Sequence, residues 1–266
     1  MTKERIEALR GFLKNRALAS AVLLQPENLR YFSGFTGGEG VLVVTPNRVV
    51  LWTDLRYTEQ AAQECGHTVQ VVNHAGHPAA AAAATLAEDD IGAAAYEADY
   101  MPHTFFERLA ETGECCFEGV SLQGIRAVKE PYEVEATRKA GCIAAAAFAD
   151  LLAYIKPGVT ERELAARLES NMLLAGSEEK AFDTIVASGR RSAMPHGTAT
   201  DKAIAVGEFI TFDFGAVCDG YHSDMTRTVV VGKADDEQKR FYNLVLEGQR
   251  LGIDAVRAGA VCSEVD

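Results

Sequence analysis

The sequence predicts two domains, an α/β domain over residues 1–125 and a second domain over residues 126–266 in which long helices precede antiparallel strands. Two observations support this division. Short apolar runs alternate with helical patterns up to about residue 125, and longer helical segments begin at "EPYEVEATRKAGCIAAAAFADLL". A chain of 266 residues is long enough for one large domain or two ordinary ones, with a substantial apolar core.

The elements of the first domain follow from local patterns. The segment "IEALRGFLKNRALA" predicts an amphipathic helix, and "SAVLL" predicts a short buried strand after it. The segment "GVLVVTPNRVVLWTD" predicts a hairpin that turns at Pro46-Asn47. Two further strands, "TVQVV" and "GAAAYEAD", flank an Ala-rich helix, "HPAAAAAATLAEDD".

The second domain is predicted to start with a helix at Pro131, because proline suits the first helical turn. The tripeptide "KPG" ends that part of the chain, and Thr160 with Glu163 forms a capping box that opens a second helix. A strand "DTIVAS", a loop "GRRSAMPHGTATDK" and a hairpin around Asp219-Gly220 follow. A third helix covers "DDEQKRFYNLVLEGQRLGIDAV".

Composition and charge exclude several classes of partner. Lys and Arg number 26 and Asp and Glu 38, which gives a net charge of −12, and no basic cluster offsets it, so we expect no nucleic-acid partner. No apolar run reaches membrane length, and the amino-terminal helix lacks an apolar signal core. The six cysteines show no CxxC spacing. We therefore expect a cytoplasmic protein, without membrane contact, whose thiols are reduced.

The hairpin "FDFGAVCDGYHSDMTRTVVVG" carries one aspartate on each strand, Asp213 and Asp224, although aspartate is depleted in strands. A turn at Asp219-Gly220 places both carboxylates on one face as diagonal neighbours, roughly 7–8 Å apart at Cβ. Two converging anions require cations, and carboxylates on one surface bridge paired metal ions well. Gly215, opposite Asp224, is predicted to leave room for such ions. Solvated aspartates, or a pairing with Arg227, explain the spacing equally well.

Several segments resemble the pita-bread metallopeptidase family, which includes Xaa-Pro peptidases, methionine aminopeptidase and creatinase. The resemblance covers nearly the whole chain, and its most specific part is the hairpin with its eleven-residue step between aspartates. It implies an α/β amino-terminal domain of the creatinase/prolidase type and an α+β pita-bread catalytic domain. The segments are "ENLRYFSGFTG", "LWTDLRYTEQA", "IRAVKEPYEVEATRKA", "FDTIVASGRRSAMPHG" and "VGEFITFDFGAVCDGYHSDMTRTVVVG".

The resemblance also implies a function and its residues. Asp213 and Asp224 match two metal ligands of the family, and His196 matches a histidine that lines the substrate site and steadies the reacting carbonyl. The implied cofactors are two divalent ions, Mn²⁺ first, with Co²⁺ or Zn²⁺ as alternatives. The implied activity is hydrolysis of the Xaa-Pro bond at the amino terminus of proline-containing dipeptides or short peptides, by a homodimer. Both dipeptidase and aminopeptidase activities are compatible with these residues.

Two rival functions follow from the same resemblance. One is a non-catalytic protein that uses a pita-bread domain for binding. The other is a creatinase-like amidinohydrolase, which needs no metal. Both disagree with the retention of Asp213 and Asp224, because such relatives have no use for paired metal-binding carboxylates.

The catalytic domain is expected to be incomplete at its carboxyl end. The segments "IKPGVTERELA" and "VRAGAVCSEVD" align without gaps, which suggests an internal duplication whose second copy stops early. The family's remaining histidine and two glutamate ligands also have no match. We therefore expect the reading frame to continue past Asp266, and we expect the 266-residue chain alone to bind metal weakly, to be inactive, and to leave Ile185, Phe209 and Phe212 on an uncovered face. Sequencing the source gene checks the first point, and a stop codon after Asp266 contradicts it.

Overall fold

The computed structural model describes residues 2–111 and 115–266. The chain divides into two compact units, Met1–Val128 and Lys129–Asp266. Within the described residues, no helix is both long enough and apolar enough to cross a membrane.

The first unit is built on a mixed six-stranded sheet. Its strands are β1 (Ser20–Leu23), β2 (Val41–Val44), β3 (Val49–Thr53), β4 (Gln70–Asn73), β5 (Ala93–Glu97) and β6 (Cys116–Val120). Their order in the sheet is β4-β3-β2-β1-β5-β6, where β1–β2 and β2–β3 pair antiparallel and β1–β5, β3–β4 and β5–β6 pair parallel. The helices are α1 (Thr2–Lys14), α2 (Pro26–Ser33), α3 (Thr58–Glu64), α4 (Pro78–Glu88) and α5 (His103–Ala110).

Both faces of this sheet are covered by helices that pack apolar side chains against it. Leu9 of α1 and Phe32 of α2 pack against one face, together with Leu42 of β2. Leu86 of α4 packs against the other face with Val43, the next residue along β2. The alternation of side chains along a strand produces these two cores from a continuous apolar run, "VLVV".

Every element predicted for the first unit is present, and its described residues also form α2, α3, α5 and β6, which are not evident from sequence pattern. The helices α2, α3 and α5 have seven or eight residues, about two turns, which is too short for a clear helical period. Strand β6, "CFEGV", contains glycine and glutamate, and only its last residue is buried.

The second unit combines two long packed helices with a small antiparallel sheet and a two-stranded ribbon. The helices are α6 (Pro131–Leu151), α7 (Glu161–Leu174), α8 (Asp236–Ala255) and α9 (Cys262–Val265). The strands are β7 (Ile185–Ser188), β8 (Phe209–Phe214), β9 (Val217–Cys218), β10 (Tyr221–His222) and β11 (Met225–Val230). The sheet has the order β11-β8-β7, and β9 and β10 form the ribbon.

Capping interactions fix where the helices of this unit begin. The predicted box between Thr160 and Glu163 is present: Thr160 Oγ1 accepts from Glu163 N at 3.1 Å, and Glu163 Oε2 accepts from Thr160 N at 2.7 Å. Helix α6 begins at Pro131, also as predicted, after a second box formed by Glu130 and Glu133. Each box satisfies backbone donors that the first helical turn leaves without intrahelical partners.

The core of this unit lies between α6, α7 and one face of the sheet. Phe212 and Phe214 of β8 are completely buried there, and both contact Phe148 of α6, with ring centroids 5.3 Å and 5.5 Å apart. The expectation that Phe212 lies on an uncovered face is therefore wrong. Ile185 and Phe209, on the other face, are half-buried. Helix α8 has no buried residue, and most of its large apolar side chains, such as Phe241 and Leu244, are exposed.

Candidate active site

The hairpin that carries the two aspartates has the predicted register. Asp213 pairs with Thr226, and beyond the end of that ladder Cys218 pairs with Tyr221, as a two-residue turn at Asp219-Gly220 requires. Continuing the same register puts Asp224 opposite Gly215. Asp213 and Asp224 therefore share one face of the sheet, opposite the face that contributes Phe212 to the core.

Gly215 has a different role from the predicted one. A Cβ on this residue would lie 2.0 Å from the carbonyl oxygen of Ser223 and 2.8 Å from the Cβ of Ala181. The space beside its Cα is already filled, so the prediction that Gly215 leaves room for metal ions is wrong. Glycine is required because Ser223, in the link between β10 and β11 that also carries Asp224, and Ala181 approach its backbone closely.

The environment of Asp213 is unfavourable for its negative charge. The side chain is half-buried, and its Oδ1 is buried without a hydrogen-bond partner. Burial raises the pKa of this carboxyl group, the negative charge of Asp224 raises it further, and a hydrogen bond with Thr226 and the charge of His196 offset only part of the effect. A buried oxygen lacking a donor, next to a second carboxylate, fits a divalent cation.

The alternative in which Arg227 neutralises the aspartates does not hold. Arg227 pairs with Phe212, so it lies on the opposite face of the sheet from Asp213, and its Nη1 donates to Thr226 O at 2.7 Å. Over residues 2–111 and 115–266, neither Asp213 nor Asp224 forms an ion pair. Within those same ranges, no three or more His, Cys, Asp or Glu residues cluster in a way that could hold a metal. The two aspartates thus fit part of a metal site.

His196 lies on an exposed loop between β7 and β8. Two residues after it, Thr198 forms an antiparallel bridge with Ile185, which itself pairs with Asp213. The loop therefore extends the sheet by one more segment beside β7. The imidazole of His196 is close enough to Asp213 that the charge of His196 lowers the pKa of the Asp213 carboxyl group. The structure thus brings the three residues predicted from the sequence into one neighbourhood.

One further residue near this loop carries no sequence signal. Glu161, the first residue of α7, is completely buried and bonds to groups that are 27 to 39 residues away in sequence. A glutamate in the first turn of a helix is ordinary, so pattern alone does not mark it. Only the fold shows that its partners are the two ends of the loop that carries His196.

We expect Asp213→Asn to stabilise the metal-free chain by about 1 kcal/mol at pH 7, because it removes a charge that is partly desolvated and repelled by Asp224. The folded-state pKa of Asp213 lies above its unfolded value, so ionisation costs stability above that pKa. The advantage of the asparagine should shrink as the pH falls through the raised pKa towards about 3.9. Urea unfolding of both proteins in chelator, at neutral and acidic pH, measures this. A destabilised variant at pH 7 would contradict it.

Similarity to known proteins agrees with the fold. Residues 5–128 match the creatinase/prolidase N-terminal domain, and residues 135–266 match metallopeptidase family M24. The fold and these matches thus define a two-domain metallopeptidase. The chain belongs to metallopeptidase family M24, with an α/β creatinase/prolidase-type domain followed by an α+β domain of the pita-bread type. The resemblance drawn from the sequence motifs is confirmed.

Individual relatives give the extent of the similarity. The chain is 34% identical over 265 residues to the uncharacterized peptidase YqhT of Bacillus subtilis, and 33% identical over 265 residues to the Xaa-Pro dipeptidase of Pyrococcus furiosus. These alignments cover 98% and 99% of this chain and 75% of each relative. The solved structure of a Xaa-Pro dipeptidase from Bacillus anthracis superposes with a TM-score of 0.95 at 36% identity, covering 100% of this chain and 75% of that one. For an X-Pro aminopeptidase from Thermotoga maritima the TM-score is 0.86 at 36% identity, covering 91% and 71%.

Proposed function

We propose that these residues belong to an exopeptidase that uses two divalent metal ions to hydrolyse the Xaa-Pro bond at the amino terminus of dipeptides or short peptides. The observation that supports it most is Asp213, whose buried Oδ1 has no donor and whose neighbour on the same face is a second carboxylate, Asp224. In a chain 33% identical to a Xaa-Pro dipeptidase, this arrangement is best explained as a part of the metal site.

In this proposal Asp213 and Asp224 hold the ions, which, when bound, supply Lewis-acid polarisation of the attacking water and the scissile carbonyl. Carboxylate oxygens favour hard cations, and we propose Mn²⁺. Thr226 lies directly across the strand pair from Asp213, where its hydroxyl partly offsets the raised pKa of that carboxyl group. The proposed metal site belongs to the catalytic domain formed by residues 126–266. This domain follows the amino-terminal domain formed by residues 1–125.

His196 acts on the substrate. Its exposed imidazole stands near the carboxylate pair without being one of the ligands, and a ring N–H can donate to the oxygen of the scissile carbonyl as negative charge develops on it. We assign His222 a structural role, because its Nδ1 lies 3.1 Å from Ala181 O and the interaction joins β10 to the segment around Ala181.

We further propose a cytoplasmic homodimer. All six cysteines are free thiols, which a reducing compartment maintains. The dimeric state rests on the family resemblance alone, and sedimentation of the purified protein tests it.

The test is hydrolysis by the product of the complete reading frame, incubated with a Xaa-Pro dipeptide and with a longer Xaa-Pro peptide. Release of the amino-terminal residue with Mn²⁺, and none with a chelator, is the expected result. Cleavage of only the dipeptide identifies a dipeptidase, and cleavage of the longer peptide identifies an aminopeptidase.

The rival functions give different results in the same assay. Binding of the peptide without release of a product would support a non-catalytic protein. Release of urea from a guanidino-acid substrate, unaffected by the chelator, would support a creatinase-like amidinohydrolase. Either result, without hydrolysis of Xaa-Pro peptides, contradicts the proposal. The 266-residue chain, run alongside, is expected to be inactive because no group of three or more His, Cys, Asp or Glu side chains among its described residues could hold a metal ion.

A further inference from the structure

One buried carboxylate holds both ends of the loop that carries His196. Glu161 Oε1 accepts hydrogen bonds from Ser188 N and Ser188 Oγ, both at 2.8 Å. Glu161 Oε2 accepts from Thr200 N at 3.1 Å and Thr200 Oγ1 at 2.7 Å, and from Arg191 Nε at 3.2 Å. Ser188 is the last residue of β7, and Thr200 follows the loop 189–199. Each carboxylate oxygen therefore holds one end of the loop.

Arg191 extends this connection towards the metal-binding face. Its Nε donates to Glu161, and its Nη2 donates to Thr198 O at 2.6 Å. Thr198 forms the bridge with Ile185, the direct neighbour of Asp213 across the sheet. The position of His196 between Arg191 and Thr198 thus depends on a continuous set of hydrogen bonds that begins at Glu161.

A second ion pair supports the same end of β7. Lys202 Nζ donates to Ser188 Oγ at 2.8 Å and to Glu208 Oε2 at 2.7 Å.

Burial raises the pKa of Glu161, but the hydrogen bonds from Thr200 and Ser188 outweigh this effect, and the pKa of Glu161 lies below its ordinary value. Glu161 is therefore ionised at neutral pH, so all five bonds that it accepts are charge-assisted.

We propose that Glu161 is a positioning residue: it holds both ends of the loop 189–199 and thereby fixes His196 beside the face of the sheet that carries Asp213. The consequence for catalysis rests on the proposed function, whereas the consequence for the loop does not. If Glu161 served only to stabilise the fold, replacing it would affect the loop and the turnover number no more than an equally destabilising substitution elsewhere in the protein.

The experiment compares Glu161→Gln with Glu163→Gln in the product of the complete reading frame. Glu163 lies in the same helical turn and caps Thr160 but does not contact the loop, so its variant is the matched control. In Glu161→Gln the side-chain NH₂ faces groups that are themselves donors, so at least one end of the loop loses its acceptor. A third variant, Thr200→Val, removes one hydroxyl donor and keeps the carboxylate; it carries the test if Glu161→Gln does not fold.

Limited digestion with trypsin reports on the loop directly, because Arg190 and Arg191 lie within it and Arg190 is exposed. We expect cleavage there to be about 10-fold faster in Glu161→Gln than in Glu163→Gln, with Thr200→Val between them. We also expect kcat on a Xaa-Pro dipeptide to fall about 10- to 100-fold, with little change in KM or in the Mn²⁺ concentration needed, because His196 is displaced and the ligands are not.

Equal cleavage rates and equal kcat values in Glu161→Gln and Glu163→Gln would overturn the proposal. If Glu161→Gln does not fold, wild-type cleavage and kcat in Thr200→Val would overturn it. If the wild-type protein does not hydrolyse Xaa-Pro peptides, the proposed function fails, and the trypsin comparison still decides whether Glu161 holds the loop. Faster cleavage without a change in kcat would show that the loop is held by Glu161 but that this does not serve catalysis.

Discussion

Asp213→Asn and Asp224→Asn, each introduced into the product of the complete reading frame, are expected to abolish Mn²⁺-dependent hydrolysis of Xaa-Pro peptides. The loss should exceed about 100-fold, since replacing even a residue that only orients a ligand costs up to that factor. The physical reason is that asparagine offers a neutral oxygen where the ions require an anion. Both variants should fold, because asparagine has nearly the same shape and relieves the repulsion that Asp224 exerts on Asp213.

The measurement pairs kcat/KM with metal content and circular dichroism. Bound Mn²⁺ should fall in both variants while the spectrum is unchanged. Asp219→Asn is the matched control: Asp219 is exposed at the turn of the same hairpin with a φ of 50°, a conformation that asparagine adopts readily, so full activity is expected. Unchanged turnover in Asp213→Asn or Asp224→Asn would mean that the hairpin carboxylates are merely structural.

Phe212→Ala is expected to have the largest effect on stability, a loss of about 3–5 kcal/mol, because the completely buried ring packs against Phe148 and leaves a cavity behind. Phe209→Ala, on the same strand but on the half-buried opposite face, should cost about 1–2 kcal/mol, since less apolar area returns to water. Hydrogen exchange of the β8 amides measures both losses within the second unit. Equal losses would contradict the assignment of the two side chains to opposite faces.

Local rules predicted much of this fold. The capping box at Thr160 and Glu163 depends on four consecutive residues, and the register of the aspartate hairpin depends on a two-residue turn. Both are decided by chain neighbours, so sequence alone suffices. The placement of Asp213 and Asp224 on one face follows from that register, because side chains alternate along a strand.

The features that were missed depend on contacts between distant segments. Strand β8, "FITFDF", carries phenylalanine on both faces, so its pattern does not reveal that Phe212 faces the core and Phe209 does not. The reason for glycine at position 215 is the approach of Ser223 and Ala181, and the role of Glu161 lies in Ser188 and Thr200. Such contacts arise only after the helices and strands have packed.

Asp213 and Asp224 are expected to bind the metal of a peptidase, and anomalous X-ray diffraction from crystals of the complete reading-frame product grown with Mn²⁺ shows directly whether they do. We expect anomalous peaks within about 2.0–2.6 Å of carboxylate oxygens from both aspartates, and none in Asp213→Asn crystals. Peaks bound elsewhere on the protein, in crystals of an enzyme that needs Mn²⁺ for activity, would contradict it.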